Sequence, residues 1–204
     1  MQNQLKIGGF LVFLMMLFGT MDVNAQWKKI KETEQLVLFQ NESPDTVKNF
    51  KATFFLNTTL DEVEAYLTNP QNYREWIGPL DEIREVQSQP DSIDYCYFLV
   101  NVKPFFQRNG IIKSQVNYNK SHDRLTYQIK LDETYPYPEA LDPPRYFQMD
   151  WEMQRLTNDR VRIDMYYLGH SRSYNAFVNA ILDEFTIMAV QGMITDVMTA
   201  MTGE

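Results

Sequence analysis

One cysteine and two histidines are all that the sequence offers among the usual soft metal and redox ligands. Cys96 has no partner for a disulfide, so the fold must hold together by packing. It sits in the apolar run Tyr95-Cys96-Tyr97-Phe98-Leu99-Val100, which suits a small buried hydrophobe, because a reactive thiol needs positive charge nearby. His122 lies in a polar turn beside Asp123 and Arg124, and His170 closes a strand next to Ser171 and Ser173. Neither spacing makes a metal site, and neighbours in sequence rarely have the geometry of a catalytic triad. A Gly-x-Ser-x-Gly elbow, a glycine-rich phosphate loop and a His-Glu-x-x-His helix are also missing. Positive charge is scarce: 19 Lys and Arg stand against 27 Asp and Glu, a net charge of −8. That balance excludes broad binding to nucleic-acid or anionic-lipid phosphates. No metal, cofactor or nucleic acid is expected, no residue is singled out as catalytic, and an enzyme is the weaker expectation.

Hydrophobic residues make up 44% of the 204 residues, a globular composition, and aromatics reach 14%. Lys6 and the amino terminus supply a weak positive region, and Ile7 to Phe18 then runs without charge. Val23-Asn24-Ala25 offers small residues where a signal peptidase reads, with cleavage before Gln26. The apolar run is short of the ~20 residues that span a bilayer as a helix. No cysteine stands near the cleavage point to carry a lipid. Residues 1–25 therefore read as a signal peptide, with a retained, uncleaved anchor as the alternative, and 26–204 as one exported domain, periplasmic or extracellular.

Period-two patterns dominate the middle of the chain. Phe50, Ala52, Phe54 and Leu56 alternate along a half-buried strand, and Asn57-Thr58-Thr59 caps a short helix that Asn69-Pro70 stops. Strand-like runs follow near 81–88, 93–102, 105–118, 123–131, 145–154 and 160–168, joined by turns such as Gln89-Pro90-Asp91 and Thr157-Asn158-Asp159. Their short spacing makes neighbours antiparallel. Residues 132–144 hold four prolines and read as a loop. From Ser173 the period becomes 3.6, and a ~25-residue helix of about 40 Å closes the chain. An α+β domain is expected, a curved antiparallel sheet gripping one long C-terminal helix.

Four segments in this order carry a family resemblance. They are Phe50-Lys51-Ala52-Thr53 through Leu60-Asp61-Glu62-Val63 with Trp76 after it, Pro104-Phe105-Phe106-Gln107-Arg108-Asn109-Gly110, Arg145 leading to Trp151, and Tyr174-Asn175-Ala176-Phe177-Val178-Asn179. Together they span most of residues 26–204, and the chain resembles the START-like, helix-grip superfamily of steroidogenic acute regulatory-related lipid transfer and polyketide cyclase-like proteins. Asn109 stands where that family tends to have an Asp. The resemblance implies an apolar cavity between sheet and closing helix and a lipid, a sterol-like molecule or another hydrophobic ligand within it. A cyclase-type enzyme in the same cavity is the alternative, and a protein-interaction module of the cell envelope with a filled core is the third reading.

Strand alternation puts Phe147, Met149, Trp151 and Met153 on one face and Asp150 and Glu152 on the other. Arg145 shares the apolar face, which makes it the first candidate for a polar hook at one end of an apolar site, with Arg108 second. Phe54, Phe98, Tyr127, Met149, Trp151, Met165, Tyr167, Phe177, Phe185 and Met188 complete the candidate lining. On the closing helix, Phe177, Val178, Ile181, Leu182, Phe185, Met188, Ala189 and Met193 form the stripe expected to face the sheet. Ile187, Val190, Ile194, Val197, Met198 and Met201 form a second stripe opposite. A helix on a sheet needs one apolar face, so the second stripe is expected to meet a second subunit, a membrane surface or the Trp27-led N-terminus.

Overall fold

The computed structural model describes residues 27–41, 48–78, 80–89, 93–102, 106–119, 123–137, 141–144, 146–170 and 176–202. The signal segment, His122 and Arg145 lie outside the described residues. Among them, nine strands form one antiparallel sheet, curved and unclosed. They are β1 (Trp27–Glu32), β2 (Leu36–Asn41), β3 (Lys48–Leu56), β4 (Leu80–Gln89), β5 (Ile93–Val102), β6 (Phe106–Asn119), β7 (Arg124–Leu131), β8 (Tyr146–Thr157) and β9 (Arg160–His170). The order across the sheet is β1-β2-β3-β9-β8-β7-β6-β5-β4. Strands β4 to β9 form a meander of hairpins, and its last strand pairs with β3, so two local hairpin systems become one sheet.

Three helices join them: α1 (Leu60–Thr68), α2 (Tyr73–Trp76) and α3 (Ala176–Thr202). The start of α1 is a capping box. Thr59 Oγ1 accepts from the Glu62 amide at 3.2 Å, and the Glu62 carboxylate accepts from the Thr59 amide at 3.0 Å. Asn69 ends α1, and its side chain accepts from the Gln71 amide to begin a single 3-10 turn at Pro70. That turn delivers Tyr73 and Trp76 of α2 to the inner face of the sheet, where both are buried.

The inner face is the expected apolar one. Phe50, Ala52, Phe54 and Leu56 of β3, Leu125, Tyr127 and Ile129 of β7, Met149, Trp151 and Met153 of β8, and Val161, Ile163 and Met165 of β9 are all buried. Asp150 and Glu152 point to the opposite, outer face, as alternation requires.

The long helix corrects one expectation. Val190, Met193, Ile194 and Val197 are buried in the core, with Ile187, Met198 and Met201 packed against it. Met188, expected on the inner side, is 56% exposed. The stripe of Ile187, Val190, Ile194, Met198 and Met201 is therefore the core-facing side, not a surface for self-association or membrane contact. With apolar groups on both sides of α3, periodicity gives the helix but not its rotation. Packing against α2 and β3 fixes that rotation.

The N-terminal segment departs from expectation as well. Three strands precede α1, and β1 and β2 form a hairpin that extends the sheet edge. Trp27 does not cover α3. Its ring meets Tyr166 edge-on at 6.3 Å, with the Lys51 ammonium 4.2 Å from its centroid. Within the proline-rich loop, Tyr135 and Tyr137 pack on Tyr95 and Tyr97 of the outer face, with ring centroids 4.8 and 5.2 Å apart.

Candidate functional site

The inner face divides into a filled end and a half-covered end. At the filled end α2 sets Trp76 against Trp151, ring centroids 5.5 Å apart. Phe54 meets the other side of Trp151 at 6.3 Å, and Tyr73 meets Trp76 at 5.5 Å. All four rings are buried, and neither indole Nε1 has a hydrogen-bond partner. Beside them the Tyr73 and Tyr127 hydroxyls hydrogen-bond to each other, and Tyr73 reaches Ser114 Oγ at 3.4 Å. Burial pushes the Tyr73 hydroxyl up to about 12 and Tyr127 well above the ordinary phenol range. Cys96, on the neighbouring strand, is buried and likewise pushed up to about 12, which leaves it a thiol.

These shifts fix an alkaline limit. A phenol whose folded value is raised stabilises the fold below the unfolded value near 10 and loses that contribution as pH rises toward 12. Stability is expected to fall between pH 10 and 12, with Tyr73 and Tyr127 ionising only as the chain unfolds. Tyrosine absorbance and circular dichroism followed together through an alkaline titration check this. Two buried phenols ionising with the secondary structure intact would contradict it.

At the other end of the sheet the cover is incomplete. Val100, Leu131, Phe147 and Tyr167 pack against the core but remain half-buried. Register puts them together: Phe98 pairs with Gly110, Val100 with Arg108, Met149 with Tyr167, and Phe147 with Gly169. Phe50, Phe147 and Tyr167 form a chain of edge-to-face rings at 5.9 and 6.1 Å. Gly110 fits closely here, since a Cβ would come 3.0 Å from the Phe98 ring and 3.3 Å from Leu131, and those side chains would have to shift. This is also the end of the sheet at which β9 finishes. The Tyr167 hydroxyl is pushed up to about 12 by burial.

Arg108 shares this face and stands at its rim. Its guanidinium bridges to Asp142 Oδ2 at 2.7 Å and to its neighbour's carbonyl, Gln107 O, at 3.0 Å. The carboxylate that pairs with Arg108 is thus supplied by Asp142, from the proline-rich loop. Asn109 points the other way and ties the same loop down, accepting from the Asp142 amide at 2.6 Å.

The remaining candidates separate cleanly. Phe54, Tyr127, Met149, Trp151 and Met165 belong to the filled core, and Phe98 is nearly buried. Tyr167 is at the half-covered end, and Phe185 is half-buried on α3. Met188 faces solvent. Arg145 and the Phe177 side chain lie outside the described residues. The candidate list lacked Val100, Leu131 and Phe147 at the open end. Phe147 was legible from its alternation with Met149 and Trp151, whereas Val100 and Leu131 carry no signal until β6 pairs with both of their strands, Val100 opposite Arg108 and Leu131 opposite Ile112.

No family model matches the sequence, and no curated protein matches it. Solved structures do. A STAR-related lipid transfer protein from Xanthomonas axonopodis superposes with a TM-score of 0.69 at 14% identity, over 86% of this chain and 98% of that one. Human StAR-related lipid transfer protein 5 gives 0.69 at 13% identity, over 98% of each chain. The fold is that of the START domains. The Zhui aromatase/cyclase from Streptomyces shares it more distantly, with a TM-score of 0.55 at 11% identity over 76% of this chain and 93% of its own. START domains thus supply the architecture, a sheet with its long C-terminal helix across the inner face, and at these identities the likeness is one of fold.

Proposed function

We propose that the protein is exported and carries a hydrophobic small molecule, lipid or sterol-like, between the half-covered end of the inner sheet face and the start of α3. The observation that carries this reading is the half-covered apolar group of Val100, Leu131, Phe147 and Tyr167, on a fold shared with proteins named for lipid transfer. Apolar side chains left half-covered at the end of a core favour an apolar occupant. Arg108 at the rim offers a donor for a polar head, its charge already balanced by Asp142. A cyclase reading has less support. Among the described residues, the hydroxyls gathered inside are phenols and one serine, and the buried phenols are held protonated, as donors and not bases, at neutral pH. The envelope-module reading loses its surface, since the second stripe of α3 is in the core.

The test is recovery of the protein from cells followed by native mass spectrometry. The expected result is a chain lacking residues 1–25 with a co-purifying lipid or sterol-like mass. The stripped protein should take up a fluorescent fatty-acid or sterol analogue. Leu131→Trp, which fills the half-covered end, should weaken uptake by about tenfold, the effect of 1–2 kcal/mol of overpacking. An empty protein that takes up no analogue would overturn the reading.

A further inference from the structure

The chain after β7 is fastened twice, once on the outer face of the sheet and once at the rim of the half-covered end. Strand β7 stops at Leu131, opposite Ile112, while β6 continues back to Phe106 beyond that pairing. The chain leaves Leu131 through a turn in which Asp132 Oδ1 accepts from the Thr134 and Tyr135 amides at 2.8 and 3.1 Å. The Asp132 amide donates to Ile111 O at 2.8 Å, and the chain then crosses to β5 and β4. Tyr135 packs there on Tyr95, and Tyr137 stacks on Tyr97 with 14° between the ring planes. The Tyr135 hydroxyl donates to Gln87 Oε1 at 3.2 Å. The Arg84 guanidinium donates to the Tyr137 hydroxyl and lies over both rings of the stack. Tyr97 and Ile111 are buried, although alternation turns both away from the core that Cys96 and Ile112 enter. They make a small second cluster on the outer face.

The return leg passes the inner rim. Asp142 O accepts from the Asn109 amide at 3.2 Å, beside β6 and past the end of β7, and the Asp142 carboxylate reaches Arg108 at 2.7 Å. Leu131 and Phe147, two of the half-covered apolar residues, stand at the two ends of this connection. The Asp142 side chain is 72% exposed, so its ion pair is screened and holds little. The stacked tyrosines and Arg84 are the stronger fastening, and they lie on the face opposite the carried molecule.

We propose that this outer-face clasp sets the rate at which the carried molecule enters and leaves, an inference that rests on the carrier reading. With the rings stacked, Asp142 stays on Arg108 and Asn109, and the notch beyond the end of β7 is closed. With the rings parted, Asp142 is released and the notch between Leu131 and β6 opens to the half-covered end. Tyr135 and Tyr137 are half-buried, so parting them returns little surface to water and the opening is reversible. Passage uses only the open minority form. Loosening the clasp therefore speeds entry and exit by the same factor and leaves the affinity unchanged.

The experiment follows uptake of a fluorescent fatty-acid analogue by the stripped protein in stopped flow, and its release into excess unlabelled fatty acid. Tyr137→Ala removes the stack and the Arg84 contact, and both rates should rise about tenfold at constant affinity. Tyr137→Phe keeps the ring and should stay close to the wild type. Tyr135→Ala, which loosens the other pair, should raise both rates in the same way. Rates unaltered in both alanine variants, or faster release with a matching loss of affinity, would overturn the clasp and leave the carrier reading standing. A wild type that takes up no analogue would overturn the carrier reading itself, and the clasp with it.

Discussion

Ile194→Asp is expected to remove much of the fold's stability, while Met188→Asp, less than two turns away on the same helix, is expected to leave it intact. Ile194 is fully buried among Val190, Met193 and Val197, whereas Met188 is 56% exposed. A carboxylate forced into that position has no described cationic side chain in the core cluster to meet. It must either ionise in an apolar medium or carry its proton there, and the loss is more than about 4 kcal/mol. Against a total stability of about 5–15 kcal/mol, that is a large share, and the melting temperature falls steeply. Substitution at Met188 should move stability by no more than about 0.5 kcal/mol, as at an ordinary surface site. Thermal melts by circular dichroism distinguish the two. A cooperative, unshifted melt for Ile194→Asp would place the stripe outside the core and restore a partner surface on α3.

That pair of residues also shows where the sequence stops informing. Strand alternation is a strict signal, because a side chain on a strand has only two directions, and one row of Phe50, Ala52, Phe54 and Leu56 against Lys51 and Thr53 settles which is inward. The strands β3 to β9 and the inner face follow from it. A helix has no such restriction when apolar residues surround it. Phe185 and Met188 on one side and Val190, Ile194 and Val197 on the other fit a seam equally well by period, and only the position of α2 and β3 selects between them, taking Met193 into the core with the second set. The same limit applies to the site. Which aromatic rings face inward was legible. Which of those rings are sealed depends on α2, whose four residues bring Tyr73 and Trp76 over Trp151 and Tyr127. Arg108 was legible as a charge among apolar residues, but its partner Asp142 lies 34 positions away on an irregular loop that no periodicity describes.

Trp151→Ala tests whether that sealed end is solid. Trp151 lies between Trp76 and Phe54 with 1% of its surface exposed, so truncation leaves a cavity that neighbours held on a sheet and a capped helix cannot close. The expected loss is about 3–5 kcal/mol, a melting temperature lower by roughly 6–20 °C in a domain of this size. Trp151→Phe keeps a ring against both neighbours and removes an indole nitrogen that has no hydrogen-bond partner, so its loss should be about 1–2 kcal/mol. Phe147→Ala, at the half-covered end, should also lose about 1–2 kcal/mol, because less apolar surface is returned to water. The ligand separates the two ends further. Saturation with a lipid analogue stabilises the whole fold according to its affinity, and Trp151→Ala should leave that affinity unchanged, so the melting temperatures of Trp151→Ala and of the wild type should rise by about the same increment. In Phe147→Ala that increment should shrink, since a contact is gone. If Trp151→Ala instead melts close to the wild type and takes up more analogue than it, the rings around Trp151 line a space rather than fill one, and the site extends to α2.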